Sequence, residues 1–212
     1  MDRDLVAFLS ERFAAPLASG QLRLVPGDAA KVDWPTLLPG AGWICAANLP
    51  YNVGTGILTA MVDLPGTFRR LVLMLQREVA RRVVAGAGDE ARGSLSVYVE
   101  ARAEARVAIK VPPGCFFPAP KVHSAVLQID LLAAPRTGAV APALLEAVCL
   151  GAFAQPRKAL RKSLRARWPG EAVDAALEAA GVHPLARPAD LDLPAWLRVA
   201  AALGWTGVQA PG

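Results

Sequence analysis

The residues best suited to chemistry are Asn48-Leu49-Pro50-Tyr51, which directly follow the apolar run Trp43–Ala47. That run reads as a buried strand, and open α/β sheets place their ligand sites outside the carboxyl ends of strands. A side-chain amide oxygen beside a backbone carbonyl supplies two hydrogen-bond acceptors. Two acceptors on the N–H bonds of an adenine-type amino group draw its nitrogen towards tetrahedral geometry and localise a lone pair otherwise delocalised into the ring. Asn48 and the Leu49 carbonyl are the candidates. Pro50 donates no backbone hydrogen bond and stiffens the turn. Tyr51 offers a ring on which a base taken out of its helix can stack, a contact worth about 1–3 kcal/mol. The same four residues also suit an ordinary strand-to-loop turn, in which Asn and Pro are common.

A second constellation is Val111-Pro112-Pro113-Gly114-Cys115-Phe116-Phe117-Pro118-Ala119-Pro120-Lys121-Val122. Its prolines fix an extended connection that can present an aromatic ring rigidly; the other reading is a stiff surface loop whose Phe side chains plug the core. The third is a basic run. Arg157, Lys158, Arg161, Lys162, Arg165 and Arg167 fall within eleven residues that contain no acid. Lys158, Arg161 or Lys162, and Arg165 have the spacing of one helix face. The absence of acidic partners within the run favours phosphate binding over a merely solvated face.

The elements that must position these groups follow from periodicity and breakers. Residues 4–13 read as a helix, Leu22–Val25 and Trp43–Ala47 as strands, and 55–62 as a helix closed by Pro65-Gly66. Leu71–Gln76 is expected to be a strand, 78–84 a helix and 86–93 a loop. Leu95–Glu104 fits either helix or strand. Arg106–Val111 and Ser124–Leu131 read as a strand pair joined by the Pro-rich segment. The alternation predicts an α/β fold with a mainly parallel sheet covered on both faces. Residues 142–204 read as helices broken near 168–170 and 183–184. The expected division is a catalytic domain over 1–132, a linker over 133–141 and a helical domain over 142–212.

Composition narrows the function classes. The chain has 212 residues, 54% of them hydrophobic, and a net charge of +5, which admits nucleic acid as a partner. No apolar run reaches the length of a membrane span, and Met1-Asp2-Arg3-Asp4 does not read as a signal peptide. Cys45, Cys115 and Cys149 are odd in number and widely spaced, which suits a reducing cytoplasm, and Cys115 is expected to be a small core filler. His123 and His183 stand alone, so no metal site is expected.

Taken together, the Asn-Leu-Pro-Tyr turn, the Pro-Pro-x-x-Phe-x-Pro-x-Pro-Lys-Val run and Phe153-Ala154-Gln155-Pro156-Arg157-Lys158 resemble, in order and spacing, the small-subunit rRNA adenine dimethyltransferases. Leu75-Gln76-Arg77-Glu78-Val79-Ala80 and Gly93-Ser94-Leu95-Ser96-Val97 extend the resemblance along essentially the whole chain. It implies a Rossmann-like class I methyltransferase sheet followed by a small helical domain. It also implies S-adenosylmethionine as methyl donor, small-subunit rRNA in a pre-30S particle as substrate, and a cytoplasmic monomer with no membrane partner. Asn48, Leu49, Pro50 and Tyr51 would hold the target adenine, with Phe116 stacking on its other side. Asp28, in Gly27-Asp28-Ala29, would accept from the amino group of the cofactor's adenine, with Ala29 and Asn48 beside the same ligand. Lys121, Arg157, Lys158, Arg161, Lys162 and Arg165 would contact RNA. The family typically carries a basic residue where this chain has Pro156.

The resemblance also predicts what is missing. Relatives bind the methyl donor on a Gly-rich turn after the first strand, and an acidic residue ending the second strand holds the ribose. Met1–Leu5 match the sequence just after that acid, so a fragment, or a start assigned too late, is expected. Two strands would then be lacking between 22–25 and 43–47, and the sheet is expected to split there. None of the pairs Gly40/Gly42, Gly54/Gly56 and Gly86/Gly88 has the strand–turn–helix context that a replacement requires. Two rival readings remain: a non-catalytic RNA-binding or ribosome-assembly protein, and a methyltransferase of large-subunit rRNA.

Overall fold

The computed structural model describes residues 3–50 and 52–204. The chain forms two compact units, one up to Pro39 and one from Gly40 onwards.

In the first unit the helical periodicity of the N-terminus yields α1 (Arg3–Arg12) and α2 (Ala14–Ala18). Leu5, Phe8 and Phe13 all remain exposed, and no residue of α1 is buried. Leu22–Val25 does not form the expected strand. It has no ladder partner among the described residues, and extended backbone without a partner gains no regular hydrogen bonding. Asp28 caps a short 3₁₀ turn, Ala29–Lys31, accepting from the Ala30 N–H at 3.0 Å. Asp33 caps α3 (Trp34–Leu37) through Thr36.

The second unit is built on four strands: β1 (Trp43–Asn48), β2 (Phe68–Gln76), β3 (Ala103–Val111) and β4 (Ser124–Leu131), in the order β1-β2-β4-β3. β1 and β2 pair in parallel; β4 pairs antiparallel with both β2 and β3. Three strands share a direction, but two of the three pairings are antiparallel, so the sheet is mixed rather than mainly parallel. The reversed β4 lies between β2 and β3, so only β1 and β2 are hydrogen-bonded in parallel. The β3–β4 connection carries no crossover helix, so the chain returns antiparallel.

Register decides which face is buried. Leu71, Leu73 and Leu75 of β2 stand opposite Ile129, Leu127 and Ala125 of β4, and all six are at most 2% exposed. Against β2, β3 and β4 pack α4 (Gly54–Val62), α5 (Arg77–Val84) and α6 (Ser94–Glu100). The ambiguous stretch 95–104 therefore resolves as helix first and strand after. The opposite face departs from the expectation of cover on both sides within this unit. It carries a polar ladder in which Arg70 donates to Asp130, Gln128 to Asp130 at 2.8 Å, and Arg106 to Gln128 at 2.7 Å. These polar side chains hydrogen-bond one another, which lets them stand on this face at little cost.

The C-terminal part contains α7 (Pro142–Phe153), α8 (Leu160–Leu164), α9 (Gly170–Ala179) and α10 (Leu193–Leu203), broken where the sequence predicts. Leu145, Val148, Leu164, Trp168, Val173, Trp196 and Val199 form its core, and Val97 of α6 and Ala101, which caps it, belong to the same cluster. Residues 133–141, expected to be a linker, lie within the second unit. The Arg136 N–H donates to the Ala101 carbonyl at 2.7 Å, and Thr137 is buried. Buried Arg92 ties the two parts further. It donates to the Ala85 carbonyl at 2.8 Å and the Leu191 carbonyl at 3.0 Å, and pairs with Glu100 at 2.7 Å.

Candidate active site

Asn48 is the last residue of β1, opposite Met74, and the Leu49 N–H donates to the Met74 carbonyl at 3.2 Å. The strand's alternation carries through the turn. Asn48 and Pro50 are exposed, whereas Leu49 is 5% exposed and enters the core. A Cβ on residue 54 would stand 2.7 Å from Leu75 Cδ2 and 3.4 Å from Leu49 Cβ, so Gly54 lets α4 start hard against that plug. At the other end of α4, Arg102 pairs with Asp63 at 2.7 Å and lies 3.8 Å over the Tyr98 ring, while the Tyr98 hydroxyl donates to Asp63. Burial and the adjacent Asp63 carboxylate push the Tyr98 phenol well above its usual range, so it stays a neutral donor.

The Pro-rich connection reaches the same place from the far side of the sheet. Val111 pairs with Ser124 at its base, and Pro113–Cys115 form one 3₁₀ turn closed by bonds from Cys115 to Pro112 and from Phe116 to Pro113. Asn48, Leu49, Pro50, Phe116, Phe117, Pro118 and Pro120 line one cleft of about 390 Å³. The first and second constellations, some sixty residues apart in sequence, are thus brought together. Phe116 is half-buried in this wall, whereas Phe117 is 102% exposed. Cys115 is exposed rather than a core filler, because the prolines hold this stretch outside the sheet. Tyr51 lies outside the described residues.

Asp28 and Ala29 belong to the first unit. One Asp28 oxygen is occupied by its cap; the other has no protein partner among the described residues.

The basic run differs from its linear reading. α8 is only five residues long, so Lys158 precedes it and no long basic helix face forms. Asp174 of α9 accepts from Arg161 at 2.6 Å through both oxygens and from Arg165 at 2.6 Å. These hydrogen bonds, Arg161's first, hold the Asp174 carboxyl down at about 2. Two of the six cations therefore have an acidic partner after all, supplied by the next helix. Arg157, Lys158 and Lys162 have no acidic partner among the described residues, nor does Lys121. Phe117 and Asp174 are the residues that sequence reading missed. The Phe116-Phe117 doublet hinted at the first, and the acids of the following helix could have suggested the second.

The family model described as ribosomal RNA adenine dimethylase matches residues 1–203. The chain belongs to that family. Ribosomal RNA small subunit methyltransferase A of Syntrophotalea carbinolica is 41% identical over 91% of this chain and 72% of its own length. The protein of the same name from Dinoroseobacter shibae is 45% identical over 82% of this chain and 62% of its own. The match thus spans roughly two thirds of such relatives. Among solved structures, the 23S rRNA methyltransferase ErmE superposes with a TM-score of 0.69 at 25% identity, over 95% of this chain and 79% of that one. A dimethyladenosine transferase from Plasmodium falciparum gives a TM-score of 0.76 at 21% identity, over 93% and 78%, and shares the fold.

Proposed function

We propose that this chain carries out S-adenosylmethionine-dependent N6-dimethylation of adenine in small-subunit rRNA, acting as a cytoplasmic monomer on pre-30S particles during ribosome assembly. The observation that carries the reading is the single cleft joining the Asn48-Leu49-Pro50 turn to Phe116. The Asn48 amide oxygen and the Leu49 carbonyl accept from the adenine amino group, so its lone pair faces away from the ring plane. Phe116 and Tyr51 clamp the flipped base. Leu49 holds these acceptors in register because its side chain is anchored in the core. Positioning of this kind carries most of the catalysis in a direct in-line transfer. An open cleft mouth lets the monomethylated base return for the second transfer.

The residues present fit the adenosine end of the donor. The Asp28 oxygen left free by its cap suits the amino group of the donor's adenine, and the resemblance adds Ala29 and Asn48 as residues for the same ligand. S-adenosylmethionine supplies an electrophilic methyl group on a sulfonium. Lys121, Arg157, Lys158 and Lys162 contact phosphates, with Arg161 and Arg165 contributing less while they share the Asp174 carboxylate.

The likeness to ErmE supports a second reading, a large-subunit rRNA target, though the relatives with higher identity are named for the small subunit. The test is transfer of labelled methyl groups from S-adenosylmethionine to undermethylated small-subunit particles and to large-subunit rRNA. Label in small-subunit adenine supports the proposal. Label confined to large-subunit rRNA moves the assignment to the second reading, and RNA binding without transfer to either makes the chain an assembly factor.

A further inference from the structure

The proposed reading uses Phe116 and leaves its neighbour unexplained. Phe117 is 102% exposed, the most exposed large apolar side chain among the described residues. It lines the Asn48 cleft together with Pro118 and Pro120. Burying such a ring is ordinarily worth about 2–3 kcal/mol; here the flanking prolines instead hold it in water, in a segment too stiff to fold it back. The segment from Pro112 to His123 contains no acid, and its exposed Lys121 has no partner among the described residues. A projecting ring and a free cation on one stiff strap, beside a pocket for a flipped base, match a nucleic acid, whose bases stack on aromatics and whose phosphates attract ammonium groups.

We infer that Phe117 stacks on a nucleobase directly next to the target adenine, holding the strand on one side of the cleft while Phe116 and Tyr51 hold the target itself. Phe117 is then a specificity residue: it fixes which nucleotide of a flexible RNA loop enters the pocket. This inference rests on the reading of the cleft as an adenine site.

The test uses the full chain and three small-subunit RNAs: intact, and with an abasic nucleotide on the 5′ or the 3′ side of the target. Filter binding is measured for the unmodified protein, Phe117→Ala and Phe117→Trp. Stacking energies predict that Phe117→Ala weakens binding to intact RNA by about fivefold to a hundredfold. On one of the two abasic RNAs the same substitution has no further effect, and Phe117→Trp retains affinity for the intact RNA. In turnover the alanine variant raises KM more than it lowers kcat. Equal affinity of Phe117→Ala and the unmodified chain for intact RNA overturns the inference, as does a loss that persists undiminished on both abasic RNAs. Coupling without methyl transfer by any variant leaves this inference standing and refutes the activity. Transfer without coupling does the reverse.

Discussion

The cleft and the basic run were both read from local sequence, and they came out differently. In the cleft, Asn48, Leu49, Pro50 and Phe116 converge as the motifs suggested. In the basic run, six cations that look equivalent on paper separate into two that share Asp174 and others with no acidic partner among the described residues. The difference lies in what fixes each arrangement. Proline and strand alternation constrain the chain locally, so sequence neighbours stay structural neighbours. Charge acts through space, and a single carboxylate arriving from another helix rewrites the pattern.

The largest effect is expected at Asn48. Asn48→Ala should lower single-turnover methyl transfer by about a hundredfold or more while filter binding of RNA stays nearly unchanged. Transfer at close to the unmodified rate would reduce the turn to scaffolding and leave the cleft no better understood than the basic run. Tyr51→Ala should weaken both base capture and turnover, and Tyr51→Phe should keep most activity, since stacking needs the ring and not the hydroxyl.

The next effect is on salt dependence. Replacing Arg157, Lys158 and Lys162 together by Ala should flatten the dependence of RNA affinity on salt by about two to three units. Replacing Arg161 and Arg165 should change that slope by only about one unit, because the one carboxylate of Asp174 offsets one of their two charges. Equal slopes for the two variants would mean that Asp174 does not hold its partners in solution.

A smaller effect, of opposite sign, is expected from Asp174→Asn. Removing the one carboxylate that the two guanidinium groups share should steepen the salt slope by about one unit and tighten binding. The ion pairs have their own pH signature. With its carboxyl held near 2, Asp174 contributes to stability above the ordinary carboxylate range. That contribution is lost as pH falls from about 4 towards 2. Carbon-detected NMR titration of the side chain should show the low midpoint, and in Asp174→Asn the corresponding acid step in Arg161 shifts should vanish.

Much of the α/β scaffold was legible because its signals are local: the strand over 124–131, the helix over 77–84 and the helix breaks near 169 and 184 all appear where periodicity and breakers place them. Leu22–Val25 shows the limit. Leu22, Leu24 and Val25 suggest a strand, but a strand exists only with a partner, and no residue within the segment encodes one. The 133–141 stretch shows another, since Ala, Pro and Gly look like a linker, yet buried Thr137 and the Arg136–Ala101 bond make it part of the fold. Arg92 was silent for a related reason. Its three acceptors come from residues 85, 100 and 191, a constellation that no linear pattern reveals.

The Leu49 plug has a consequence for how this sequence can drift. Interior positions usually tolerate exchange among apolar residues of similar volume, losing little but rigidity. Here the side chain that fills the core and the carbonyl proposed to meet the substrate belong to one residue, packed against Gly54 and within reach of Leu75. A substitution at 54 or 75 that leaves the melting temperature almost untouched can still tilt the acceptor away from its target. Selection at these buried positions therefore answers to aim as well as to stability, and variants that fold well but turn over slowly should be found among them.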